Sequence, residues 1–189
     1  MQSTITARGQ TVVPAAIRNQ FRLGPSDRLE WVLDNGSIRV VPVRANPAGM
    51  KRYLLDTSAL LTLRDDEPGA DRVAEILSLA AKGKAKCYGC FMTLMEVLYR
   101  VWRDEDKAAG QLAYQQCMAL PIEWLPNNEA LLVKAAEYKA TYPLSIADAW
   151  IAACASENGA VLLHKDPEFR SVPVTQELLP LKTKKSNKG

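Results

Sequence analysis

Met50-Lys51-Arg52-Tyr53-Leu54-Leu55-Asp56-Thr57-Ser58-Ala59-Leu60 packs a short apolar run, an acid and two hydroxyl residues into eleven positions. Tyr53-Leu54-Leu55 has the continuous apolar character of a strand buried on both faces. Asp56 comes where such a strand would end, and the residues after it suit a helix. The same alternation runs on toward the C-terminus. Helical material extends through Lys82, Ala85 to Cys90 is a second strand, and Leu94 to Lys107 a helix. Ile122 to Leu125 reads as a strand and Glu129 to Ala140 as a helix. Ser145 to Glu157 is a further helix, stopped by Asn158-Gly159. Ala160 to Leu163 is a fourth strand, with Val172-Pro173-Val174 a candidate fifth. This order predicts an α/β fold, a parallel sheet flanked by helices. Ligands of such sheets bind beyond the carboxyl ends of the strands.

Four acids fall where that rule directs attention. Asp56 and Asp166 follow strands directly or within two residues. Glu96 interrupts Leu94-Met95-Glu96-Val97-Leu98, and Asp148 interrupts Ile146-Ala147-Asp148-Ala149-Trp150-Ile151. A carboxylate in apolar surroundings is costly unless something pairs with it. Four of them converging at one sheet end would form a hard-oxygen set suited to Mg²⁺ or Mn²⁺. One or two such ions can activate water and stabilise charge in phosphodiester hydrolysis. Each acid also has a local reading. Asp56 could cap the next helix, Thr93-x-x-Glu96 and Ser145-x-x-Asp148 fit capping boxes, and Asp166-Pro167 fits a turn. Other chemistries lack their parts: there is no G-x-x-x-x-G-K-[ST] loop and no G-x-S-x-G elbow, and His164 is the lone histidine.

The chain has 189 residues, room for one small and one medium domain. Its 48% hydrophobic and 24% charged composition is that of a globular protein. No apolar run is long enough to span a membrane, and Met1-Gln2-Ser3-Thr4 is not a signal-peptide start, so a cytoplasmic protein without membrane contact is expected. Cys87 and Cys90 are spaced C-x-x-C, but a closed zinc site needs more ligands than their surroundings offer; buried reduced thiols are expected. The net charge of +3 is unevenly spread: residues 1–49 carry +3, residues 50–180 carry −4 and the last nine carry +4. The lysine-rich end, residues 177–189, reads as a basic disordered tail.

The first 43 residues follow another pattern. Ser3-Thr4-Ile5-Thr6 and Thr11-Val12-Val13 are strand-like around Arg8-Gly9-Gln10. Pro14 opens two helical turns over Ala15 to Phe21, which Gly24-Pro25 stops. Arg28 to Leu33 and Ser37 to Val43 flank Asp34-Asn35-Gly36, a strong hairpin signal. So small a unit buries little surface alone, and pairing of two copies is the usual remedy. Residues 44–50 then form a linker.

Residues 51–176 resemble a PIN domain of the VapC toxin type. The resemblance rests on the Met50–Leu60 opening, on Thr93-Leu94-Met95-Glu96-Val97, on Leu144-Ser145-Ile146-Ala147-Asp148-Ala149 and on Leu163-His164-Lys165-Asp166-Pro167-Glu168-Phe169. The last departs from the pattern, with His164-Lys165 where a small or hydroxyl residue is usual. The resemblance implies a Mg²⁺- or Mn²⁺-dependent endoribonuclease acting on structured RNA such as transfer RNA. Asp56, Glu96 and Asp148 would hold the metal, Asp166 would support them, and Ser58 would orient water or phosphate.

Residues 1–43 resemble the swapped-hairpin DNA-binding domain of AbrB, MazE and SpoVT type antitoxins, through Ile5 to Arg18 and Pro25-Ser26-Asp27-Arg28-Leu29. Ser26 stands where that family has glycine. The resemblance implies an intertwined homodimer that sets Arg8 and Arg18 against operator DNA; Arg22 joins them on charge and position alone. Salt-sensitive binding follows from such phosphate contacts. Antitoxin and toxin are ordinarily separate chains, and the antitoxin's hairpin domain is followed by a tail that covers the toxin site. Here six residues separate Val43 from Met50, so a tethered nuclease without that tail is expected. Met50-Lys51-Arg52 also suits an internal start or the joint of a fusion. Two rival functions remain at this point: a DNA-binding regulator whose PIN half is inert, and a nuclease of DNA.

Overall fold

A computed structural model describes residues 3–8, 10–20, 23, 28–34, 37–43 and 49–181. Gly9, Arg22, Gly24-Pro25, Ser26, Asn35-Gly36, linker residues 44–48 and the tail from Lys182 lie outside the described residues. The chain divides into two compact units, residues 1–49 and 50–189.

In the first unit, helix α1 (Ala15–Gln20) precedes strands β1 (Arg28–Asp34) and β2 (Ser37–Val43). These pair antiparallel from Arg28↔Val43 to Asp34↔Ser37, the register expected of the hairpin. Ser3–Thr6 and Thr11–Val13 are not strands. Among the described residues, the Thr6 N–H donates to the Gln10 carbonyl at 2.8 Å and the Thr11 hydroxyl to Ser3 Oγ at 2.9 Å. A two-stranded ribbon is marginal by itself, in keeping with the difference from the sequence reading. Helix α1 buries no residue, and Ile5, Val12, Trp31, Ile38 and Val40 are exposed. An apolar hollow of about 250 Å³ opens among Val12, Ile17, Leu29, Trp31 and Val40.

The second unit is an α/β/α sandwich. Its elements are β3 (Lys51–Leu55), α2 (Thr57–Arg64), α3 (Ala70–Ala81), β4 (Ala85–Cys90), α4 (Phe91–Asp104), α5 (Lys107–Ala119), β5 (Glu123–Leu125), α6 (Glu129–Thr141), α7 (Ile146–Glu157), β6 (Val161–His164), a 3₁₀ turn over Pro167–Ser171, and β7 (Gln176–Leu178). All five strands are parallel in the order β5-β4-β3-β6-β7. Side chains alternate across a strand. Leu54 therefore joins Tyr88, Ile151, Leu162 and Phe169 in one core layer. Tyr53 and Leu55 join Leu60, Val73, Ile76 and Val97 in the other.

The sequence reading differs from the structure in three places here. Helix α5 was not anticipated, the last strand lies at Gln176–Leu178, past Val172-Pro173-Val174, and that strand with the buried Leu179 takes up the start of the stretch 177–189 expected to be a tail. Val172 instead ends the 3₁₀ turn, donating its N–H to the Phe169 carbonyl. The edge strand β7 is held to α3 by a two-pronged ion pair, Arg72 Nε and Nη2 to the two Glu177 oxygens at 2.6 and 3.0 Å. No helix among the described residues is long and apolar enough to cross a membrane.

Candidate active site

The connections from β3 run outward to β4 and β5, then return to β6 on the opposite side of β3. The switch point lies between β3 and β6, and Asp56 sits at the end of β3. Its backbone N–H extends the ladder, donating to the Leu163 carbonyl at 3.0 Å. Its carboxylate caps α2, accepting from Ser58 N–H at 3.0 Å and from the Ser58 hydroxyl. Ser58 Oγ in turn accepts the Lys165 N–H at 2.9 Å, so this hydroxyl joins the β3 acid to the turn leading to Asp166.

Glu96 lies in the second turn of α4, the helix that follows β4 directly. Cys90, not Thr93, is the N-cap of that helix, so Thr93 and Glu96 do not form a capping box. Glu96 is oriented instead by Thr57, whose hydroxyl donates to Glu96 Oε2 at 2.6 Å. Asp148 is in the first turn of α7, where its N–H donates to Ser145 Oγ at 3.0 Å. Asp166 caps the 3₁₀ turn through Glu168 N–H at 2.8 Å. Asp56, Asp148 and Asp166 thus lie at the end or the start of an element, and Glu96 lies one turn into α4.

The acids act on one another's protons. Asp56 is buried, and desolvation with the charge of Asp148 pushes its carboxyl above the ordinary range, against the Ser58 hydrogen bonds. Burial raises Glu96 as well, aided by the charges of Asp56 and Asp148 and opposed by the Thr57 hydrogen bond and Arg100. Asp148 is raised by burial and by the charge of Asp166, with Ser145 and Arg100 opposing. So Asp56, Glu96 and Asp148 form a mutually repelling set that Asp166 joins through Asp148. Among the described residues none of the four makes a salt bridge, while Lys165, beside Asp166, is taken up by Glu67 at 2.9 Å.

The four side chains are the oxygen donors that a hard divalent cation takes, and burial first, then like charge, raises Asp56, Glu96 and Asp148, with Arg100 opposing at the last two. As the side chains stand, among the described residues no three His, Cys, Asp or Glu converge tightly enough to hold one metal ion. All four cysteines are free and buried, and burial raises the Cys87 thiol to about 11. Sequence reasoning missed Thr57, although it is next to Asp56, and Arg100, although four residues past Glu96 is the same helix face. Arg8 and Arg18 are exposed in the first unit, Arg18 in the last turn of α1; Arg22 lies outside the described residues.

Two families match the chain. The PIN domain covers residues 53–174, and the family described as antidote-toxin recognition MazE, bacterial antitoxin, covers residues 2–48. No curated protein matches it. Among solved structures it is similar to VapBC2 from Rickettsia felis bound to a DNA fragment from their promoter, at 18% identity and a TM-score of 0.57 over 68% of this chain and 99% of that one. It is similar to DNA-bound VapBC from Salmonella typhimurium, at 20% identity and a TM-score of 0.55 over 68% and 98%. A third is Mycobacterium tuberculosis VapC20, a sarcin-ricin loop cleaving toxin, at 16% identity and a TM-score of 0.54 over 68% and 99%. At such identities the likeness is one of fold. The PIN match spans more than half of the sequence, and with it the chain belongs to the PIN domain family, carrying a MazE-type antitoxin domain ahead of its PIN domain.

Proposed function

We propose that the chain is a VapC-type endoribonuclease toxin joined to a DNA-binding antitoxin module, with residues 51–176 as the nuclease, residues 1–43 as the DNA-binding domain and residues 44–50 as the link. The observation that carries this reading is the placement of Asp56 at the end of β3, at the switch point of a PIN sheet, with Glu96 tied to the next residue by the Thr57 hydroxyl and Asp148 near enough for its charge to raise the Asp56 carboxyl. A structural set of caps gains nothing from placing like charges together, whereas a cation site requires it. Asp56, Glu96 and Asp148 would hold Mg²⁺ or Mn²⁺, with Asp166 supporting. When bound, the ion supplies a nucleophilic water and charge stabilisation at the phosphorus.

The chain's own groups prepare that site. Ser58 holds the Asp56 carboxylate and the Lys165 backbone, and Thr57 holds Glu96, so both acids present their remaining lone pairs in a set direction. The substrate is RNA, with a structured RNA such as transfer RNA as the first candidate. VapC20 supports that choice as a structural relative whose described target is an RNA loop. The first unit leaves Trp31, Ile38 and Val40 exposed, which supports pairing of two copies into the homodimer that would set Arg8, Arg18 and Arg22 on operator DNA. We place the protein in the cytoplasm, where RNA and operator meet.

The test is incubation of the full chain with labelled transfer RNA and labelled single-stranded DNA in Mg²⁺. RNA cut and DNA spared is the expected result; DNA cut in preference to RNA would move the site to deoxyribonuclease chemistry. A gel shift on operator DNA, weakened by Arg8→Ala with Arg18→Ala and by salt, is expected for the first unit. Unchanged binding in that double variant would remove both arginines from the DNA contact.

A further inference from the structure

Helix α4 bears Arg100 one turn beyond Glu96. Side chains four apart on a helix share a face, and Arg100 is half-buried along it instead of splayed into solvent. Its charge opposes the rise of the Glu96 carboxyl on its own helix and of the Asp148 carboxyl on α7. Yet among the described residues it makes no ion pair or hydrogen bond. Other cations of the second unit are committed elsewhere: Arg64 to Asp65 and Glu105, Lys165 to Glu67, and Arg72 to Glu75 and Glu177. Arg103, the next arginine on α4, is taken by Asp104 at 2.7 Å.

A cluster of carboxylates repels a phosphodiester, so a site of this kind needs a donor of opposite charge for the strand itself. A guanidinium offers a planar fork of N–H groups that matches two phosphate oxygens, and it stays charged at any working pH. We propose that Arg100 anchors a backbone phosphate of the RNA at the acidic site, its guanidinium N–H groups donating to the phosphate oxygens. Arg100 is then a substrate-binding residue of the reaction. The inference rests on the nuclease reading above.

The test compares wild type, Arg100→Gln and Arg100→Lys as full chains, each in an Arg8→Ala, Arg18→Ala background so that the first unit's contacts do not mask the difference. In saturating Mg²⁺, Arg100→Gln is expected to raise KM for a labelled RNA about tenfold while kcat changes less than about twofold. Arg100→Lys keeps the charge without the fork and is expected to recover part of the loss. Binding of the same RNA is read separately by fluorescence anisotropy with Ca²⁺ replacing Mg²⁺. There the dependence of log affinity on log salt is expected to flatten by ~0.7 in Arg100→Gln, the value for one lost phosphate contact on a single strand. An unchanged KM and an unchanged salt slope would overturn the assignment, as would a loss in kcat alone. Should the wild type cut no RNA, the nuclease reading falls, and the binding arm still decides for or against Arg100.

Discussion

The Thr57 hydroxyl donates to Glu96 Oε2 at 2.6 Å, a bond that joins the start of α2 to the second turn of α4 across the end of the sheet. Thr57 is buried, and this bond partly offsets the burial that pushes the Glu96 carboxyl up. Thr57→Val keeps the shape and removes the donor. It is expected to lower RNA cleavage about tenfold and to raise the pH at which activity is half-lost on acidification. The stability cost is expected to be ~1 kcal/mol, the usual net worth of such a bond, read from urea unfolding. A variant with wild-type activity and pH profile would show that Glu96 needs no fixed orientation.

Ser58 makes a comparable link, donating to Asp56 and accepting from Lys165 N–H. Ser58→Ala removes the hydroxyl bond to Asp56, leaving only the backbone N–H bond from that position, and leaves the Lys165 N–H without its acceptor. Cleavage is expected to fall by tenfold or more, with the concentration of Mg²⁺ needed for half-activity rising several-fold. Activity curves measured against Mg²⁺ for the two chains check this.

The raised carboxyls make a signed statement about stability. Asp56, Glu96 and Asp148 hold protons more tightly in the folded chain than at their ordinary values of 3.8 and 4.5. The folded state therefore binds more protons than the unfolded one, and stability falls as pH rises from those values through the raised ones. The penalty is fully present at higher pH. Glu96→Gln removes one of the like charges and keeps an acceptor for Thr57. In metal-free buffer near neutral pH it is expected to melt about 3 °C above wild type, as ~1 kcal/mol would give in a chain of this size. The difference is expected to vanish in acid and to shrink in Mg²⁺. A Glu96→Gln chain that melts below wild type throughout would contradict the charge-repulsion account.

Packing of the unanticipated helix supplies a test away from the site. A methyl at Gly110 of α5 would sit 2.7 Å from the Leu98 carbonyl oxygen and 2.9 Å from Trp102 Cβ on α4. The backbone of α4 cannot step aside cheaply, so Gly110→Ala is expected to destabilise by roughly 1–3 kcal/mol despite alanine's better helix propensity. The midpoint of urea unfolding measures it, and an unchanged midpoint would mean α4 and α5 are not in close contact.

Those same residues show where sequence reasoning reached and where it stopped. Strand Ser37–Val43 could be bounded because its apolar run lies between Asn35-Gly36 and Asn46-Pro47, and the start of Ala85–Cys90 because Gly83 precedes it. Helix α7 could be placed because Ser145 is a strong cap and the pattern behind it is apolar. Helix α5 was lost because its buried face is Gly110, Ala113 and Cys117, small residues that leave no periodic signal. Strand β7 was misplaced because Gln176-Glu177-Leu178 is a polar edge strand held by the Arg72 pair, whereas Val172-Pro173-Val174 is more apolar and forms no strand. Among the site residues, the four acids stand out in sequence because charge is conspicuous in apolar runs. Thr57 and Arg100 do not, since a hydroxyl beside an acid or an arginine on a helix gains meaning only from what faces it.

The central claim is that Asp56, Glu96 and Asp148 would hold a divalent ion and that RNA is cut at the site they form. It is tested most directly by cleavage of one labelled RNA by wild type, Asp56→Asn, Glu96→Gln and Asp148→Asn in Mg²⁺, in Mn²⁺ and in excess chelator. Wild type is expected to cut with either ion and to stop on chelation, with each variant slower by at least about a hundredfold. Cleavage that persists in chelator, or in all three variants, would contradict the metal-carboxylate site.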